Sequence, residues 1–148
     1  QVGFLEKMYG KEEVHYFGDR YKPMFQQLLH LNDTASLLFH CTGGRDRTGM
    51  ANALLFYAMH VPQSTIEADF VASNVYLGKS MSQMLSGLAQ ASGLPQKKIE
   101  AEMKLRPELI RMFFGAIKEQ YGSIENFFDK ELGIDQKGMA QLRRMYTE

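Results

Sequence analysis

The chain has 148 residues, 45% of them apolar, and its 17 Lys and Arg balance 17 Asp and Glu. That is about one domain's length with material for a real core, and zero net charge gives no broad attraction to nucleic acid or to membrane surfaces. One cysteine rules out an internal disulfide and fits a reducing compartment without excluding secretion, and no apolar run approaches the roughly 18 residues of a membrane span.

The first 17 residues are mixed in character, with a surface stretch or turn at Lys7 to Lys11. Asp19 is the expected cap of a helix from Arg20 to Leu31 that puts Tyr21, Phe25, Leu28 and Leu29 on one face. Asn32-Asp33 turns the chain. Ser36 to His40, a short apolar run between a turn and a glycine loop, reads as a buried central strand. Arg47 to His60 is apolar nearly all round and reads as a buried central helix.

Ser64 with Glu67 forms a capping box for a helix from Thr65 to Leu77, ended by Gly78. Lys79 to Ser92 is the next helix, with Met81, Met84, Leu85 and Leu88 at helical spacing, a stripe read as core rather than as a substrate groove, and Gly93 as C-cap. A short helix spans Gln96 to Lys104. Pro107 opens another that runs to Tyr121, with Leu109, Ile110, Phe113, Phe114 and Ile117 inward and Gly122 as its stop. Ser123 caps a helix through Leu132, and Asp135 caps the last, ending near Tyr146. The chain is therefore mostly helical with one strand. Since one strand cannot form a sheet, the expectation is a partial domain lacking its N-terminal strands.

The chemistry concentrates in His40-Cys41-Thr42-Gly43-Gly44-Arg45-Asp46-Arg47-Thr48-Gly49, between the strand and the apolar helix. Stretched out, Cys41 to Arg47 would span roughly 20 Å. A strand ending at one and a helix starting at the other force the loop to curl. Gly43 and Gly44 permit positive φ, and successive N–H groups of Thr42 to Arg45 then line a cup at a helix N-terminus, an arrangement suited to a phosphate or a phosphoryl transition state. The same field lowers a thiol from about 8.5 toward roughly 3.5–7.5, which makes Cys41 the candidate nucleophile.

Arg47 offers a planar fork to two phosphate oxygens. Thr48 is placed to donate its hydroxyl to the sulfur as it leaves, and His40 to brace the loop from behind. Arg45 is read as a positive charge at the rim that would suit a highly phosphorylated substrate. Asp46 is read either as scaffolding paired with Arg45 or Arg47, or as the general acid.

Blander readings carry less weight. His40 and Cys41 are adjacent on a strand and point opposite ways, and with no second cysteine a zinc site is disfavoured. A Walker loop would need a Lys-Ser/Thr pair that is absent. Asp69 and Asn74 are read as capping or surface groups, Lys97-Lys98 and Arg143-Arg144 as solvated faces.

The run from Cys41 to Gly49 resembles the phosphate-binding loop of the cysteine-dependent protein tyrosine phosphatase superfamily. Its wording is similar to that of a bacterial and fungal branch that includes mycobacterial secreted tyrosine phosphatase B and related dual-specificity and phosphoinositide phosphatases. Arg45-Asp46 before Arg47, the segment Ile66 to Asn74, and Tyr121-Gly122-Ser123 followed by Leu132-Gly133-Ile134 extend the likeness over roughly residues 16 to 146.

The resemblance implies an α/β domain, a phosphatase-type sheet flanked by helices, of which this chain holds the helical part. It implies a phosphocysteine intermediate hydrolysed by water, with no metal or cofactor, and a phosphorylated protein or a phosphoinositide as partner. Members carry far more chain before the loop than the 40 residues seen here, a second ground for expecting a partial domain. A rhodanese-like sulfur carrier is disfavoured by Thr48-Gly49 and the long helical tail. A phosphate-binding or interaction fragment is the non-enzyme alternative. Substrate, location (cytoplasm or secretion) and oligomeric state are not legible.

Overall fold

A computed structural model of the chain describes residues 3–148, so Gln1 and Val2 lie outside the described residues. Among those described are nine helices: α1 Phe4–Met8, α2 Val14–His30, α3 Asp46–Ala58, α4 Gln63–Tyr76, α5 Gly78–Ser92, α6 Gln96–Met103, α7 Pro107–Tyr121, α8 Ile124–Leu132 and α9 Gln136–Tyr146.

The core is built around α7, which touches α1, α2, α3, α4 and α8. Its Leu109, Ile110, Phe113, Phe114, Ala116 and Ile117 are all buried, the inward face expected from their spacing. On α8, Phe127 and Phe128 are buried, and the Phe128 ring meets Phe25 of α2 edge-on at 5.3 Å. The two helices approach closely at Gly18, where a Cβ would lie 2.9 Å from the Glu131 Cβ and 3.1 Å from the Phe127 ring. Caps in this half fall where the sequence puts them. Ser123 Oγ accepts from the Asn126 N–H at 3.0 Å, Asp135 Oδ1 accepts from the Gly138 N–H at 2.9 Å, and Gly122 takes a positive φ.

Three expectations fail for identifiable reasons. Helix α2 starts at Val14, not Arg20, and runs through Pro23, with no cap from Asp19. An interior proline costs about 3 kcal/mol. Val14, Phe17, Tyr21, Phe25 and Leu28 are all buried on one face, at about 1.5–3 kcal/mol for a large apolar side chain, and that burial wins. At α4 the capping box does not form. The helix opens at Gln63 after Pro62, and Glu67 instead accepts a two-pronged bond from Arg111 of α7, at 2.8 and 2.6 Å. Gly78, the expected stop, is the first residue of α5, separated from α4 by Leu77 alone.

The fold class also differs from expectation. Ser36 to His40 runs as coil, and no strand exists among the described residues. A strand is a ladder between neighbours, and the described residues supply no neighbour. The segment keeps a strand's alternation, with Leu37 and Phe39 half-buried, but Leu38 is 88% exposed where a central strand would bury it. The described residues are thus all-helical rather than α/β.

Helices α5 and α6 form a peripheral hairpin whose only buried side chain among the described residues is Leu85. The stripe expected to be core is split, since Met84 and Leu88 face solvent. No described helix is long and apolar enough to cross a membrane.

Candidate active site

Ser36 to His40 delivers Cys41 to a loop that ends where α3 begins at Asp46. Gly44 makes the turn, at φ +63, a conformation that costs any residue with a Cβ. Its N–H then points back to the sulfur and donates to Cys41 Sγ at 3.2 Å. Partial burial pushes the thiol up. The Thr48 hydroxyl and the N–H groups of Thr48, Arg45 and Gly44 outweigh it and bring Cys41 from 9.0 down to about 7. The Thr48 hydroxyl is buried and has no other hydrogen-bond partner, so the sulfur is the acceptor its proton can turn toward. The loop therefore favours the thiolate relative to an ordinary cysteine, of which only a few per cent is ionised at neutral pH.

Arg47 is exposed, and its Nη2 donates to Thr42 Oγ1 at 3.0 Å across the loop. Arg47, Thr48, His40 and Cys41 line one cavity of about 250 Å³, walled by Tyr16, Phe17 and Tyr21 of α2 and by Phe39. Arg20 shares that wall, its guanidinium over the Tyr16 ring at 5.0 Å. The His40 Nδ1–H donates to the carbonyl of the adjacent Cys41 at 2.9 Å.

Arg45 departs from expectation. It is not at the rim but 4% exposed, packed on the far side of the loop. Its Nε donates to Asp46 Oδ2 at 2.9 Å, its Nη2 to Asp46 Oδ1 at 3.2 Å and its Nη1 to the Met103 carbonyl of α6 at 2.8 Å. Tyr9, fully buried at the C-terminal cap of α1, adds a third bond to Asp46 through its hydroxyl at 2.9 Å. Burial and the Asp46 carboxylate push the Tyr9 phenol far up, which keeps it a donor.

Two tyrosines that sequence reasoning missed therefore hold the junction. Tyr9 holds Asp46, and Tyr21 donates to the Arg47 carbonyl at 2.6 Å. Nothing in the sequence marks them, since Tyr21 reads as one more apolar position and Tyr9 as part of a surface turn. Asp69 and Asn74 serve elsewhere. Asp69 accepts from Asn52, and Asn74 makes a two-way bridge to the backbone of Leu105, at 2.8 and 3.0 Å.

The structure thus brings the Cys41 thiol and the Arg47 guanidinium to one cavity, at a glycine turn ahead of α3 with the Gly44 N–H aimed at the sulfur. Comparison with known proteins gives the class: the chain belongs to the tyrosine phosphatase family, whose pattern matches residues 2–148. It is 31% identical over 144 residues to a Cupriavidus necator protein named as a candidate tyrosine-protein phosphatase, covering 97% of this chain and 50% of that protein. It is 28% identical over 141 residues to a tyrosine-protein phosphatase of Nostoc commune, covering 90% of this chain and 47% of the relative. The chain thus spans about half the length of the curated relatives it matches.

Proposed function

We propose that this chain carries the catalytic loop of a phosphomonoester hydrolase that works through a phosphocysteine on Cys41. The thiolate attacks phosphorus, the P–O bond to the leaving group breaks, and the departing oxygen takes a proton from solvent water. Water then attacks phosphorus, the S–P bond breaks, and phosphate leaves with the thiolate restored. The N–H groups of Thr42, Gly43, Gly44 and Arg45 face the equatorial oxygens, Arg47 clamps two of them, and Thr48 donates to the sulfur as it departs. The single observation that carries this reading is the cavity that Cys41 and Arg47 line together, with the Gly44 N–H donating to the sulfur at 3.2 Å.

Of the two roles open to Asp46, the brace has support, because its carboxylate already accepts three hydrogen bonds. The aromatic wall of Tyr16, Phe17, Tyr21 and Phe39 suits a phosphotyrosine ring more than an inositol phosphate, and Arg45, the expected rim charge for a highly phosphorylated substrate, is buried. The alternative is a phosphate-binding fragment that needs more protein for turnover. It is favoured by the unpaired Ser36 to His40 segment and by the half-length match.

One assay tests both. An aryl phosphate is offered to this chain and to a longer form of the protein, each with and without Cys41→Ser. Turnover should vanish with the substitution while inorganic phosphate still binds. Turnover that survives Cys41→Ser removes the nucleophile, and turnover confined to the longer form selects the fragment reading.

A further inference from the structure

We propose that Arg45 and Asp46 form one charge-neutral positioning pair, steadied by Tyr9, that shapes the loop from behind and takes Asp46 out of proton transfer. The proposal deepens the phosphatase reading above and rests on it. Arg45 is the one buried charged residue among those described. Its fork occupies both carboxylate oxygens of Asp46, and its remaining terminal nitrogen is tied to the Met103 carbonyl.

Neither Arg45 nor Asp46 lines the cavity that holds Cys41. Arg45 lines a different one, of about 210 Å³, with Met81, Leu85 and Met103 of the α5–α6 hairpin. The geometry therefore turns the carboxylate away from the place where a leaving group would sit.

Electrostatics explains why an acid can stand inside an anion-binding loop. A lone carboxylate there would oppose both the thiolate and the phosphate. A lone buried guanidinium would be left without its partner, which is costly. Together they cancel, and the Met103 bond ties the loop's setting to the seating of α6. The charged and titratable groups about the sulfur are then Tyr16, Arg20 and Tyr21 of α2, His40, Arg47 and the neutral pair. The signature of such a pair is that the two single losses move the thiol in opposite directions and the double loss restores it.

The test is a four-way cycle of wild type, Arg45→Met, Asp46→Asn and the double variant. Each is read by the pH dependence of Cys41 alkylation with iodoacetamide and by protection with inorganic phosphate. Arg45→Met should raise the alkylation midpoint by about one pH unit and weaken phosphate protection about tenfold, because the carboxylate is uncovered. Asp46→Asn should lower the midpoint. The double variant should return to within about twofold of wild type in both readouts.

A double variant as impaired as Arg45→Met would overturn the proposal. So would an upward shift in Asp46→Asn, a variant that keeps the judgement open should Arg45→Met not fold. In the longer form, selective slowing of alkyl over aryl phosphates by Asp46→Asn would make Asp46 the acid and end the proposal. If phosphate gives wild-type Cys41 no protection, the phosphatase reading falls, while the alkylation midpoints still judge the pair.

Discussion

The two sides of the loop are built on opposite plans. On the front, Thr42, Gly43, Gly44 and Arg47 are exposed and Cys41 is half-buried, with one N–H bond to the sulfur and one side-chain bond across the loop. On the back, Arg45 and Tyr9 are sealed and the carboxylate between them is saturated with donors. An anion cup works only if its donors are left free, and a loop with free donors has little to hold it in shape. The back supplies what the front cannot. Tyr9, Tyr21 and the Met103 carbonyl anchor the junction to α1, α2 and α6, while the front stays open for a ligand.

The largest way to break this contrast on the front is Arg47→Lys. Lysine keeps the charge but not the fork, and loss of a transition-state donor commonly costs about 100- to 1,000-fold in turnover. We expect a drop of that order in aryl phosphate hydrolysis by the active form, with thermal stability within about 0.5 kcal/mol of wild type, because the Arg47 side chain is exposed. A comparable loss of stability would mean that Arg47 belongs to the scaffold and that front and back are not separate.

That division also explains what could be read from the sequence. Helices α7, α8 and α9 were legible nearly to the residue because caps and apolar spacing agree, as at Pro107, Ser123 and Asp135. The curl that brings Cys41, Arg47 and Thr48 to one cavity was legible because their spacing around Gly43-Gly44 forces it. The back was not. Whether Arg45 reaches the rim or turns inward depends on Met103, 58 positions along the chain, and no local pattern carries that. The start of α2 was misplaced because Asp19 has the local look of an N-cap, while burial of Val14 and Phe17 carries the helix back past it. Ser36 to His40 has a strand's sequence, but a strand's existence depends on a neighbour that the described residues do not contain.

Thr48 stands between the two sides, and its effect should be intermediate. Its hydroxyl is among the groups that hold the thiol at about 7 rather than 9.0. Thr48→Val keeps the shape and removes the donor, so the midpoint of Cys41 alkylation should move up by about one unit, and reactivity at neutral pH should fall several-fold. The sign follows from the reactive species. The thiolate is lost as pH falls through the midpoint, so a higher midpoint means less thiolate at pH 7. Thr48→Ser should stay near wild type. A midpoint unmoved by valine would assign the shift to the N–H groups alone.

The smallest effect distinguishes the two glycines. Gly44 sits at φ +63 and Gly43 does not, and a Cβ added to either would meet nothing within 4 Å. Sterics with neighbours are therefore absent, and only the backbone conformation separates them. Gly44→Ala should cost about 1–2 kcal/mol of stability in denaturant unfolding, the penalty for placing a Cβ in the left-handed region. Gly43→Ala should be neutral within about 0.5 kcal/mol. Equal costs would mean that the turn at Gly44 relaxes freely, and a loop that relaxes freely could not keep its N–H groups aimed at the sulfur while empty. A measured gap of the expected size would show that the front, although open, is held in its working shape before any phosphate arrives.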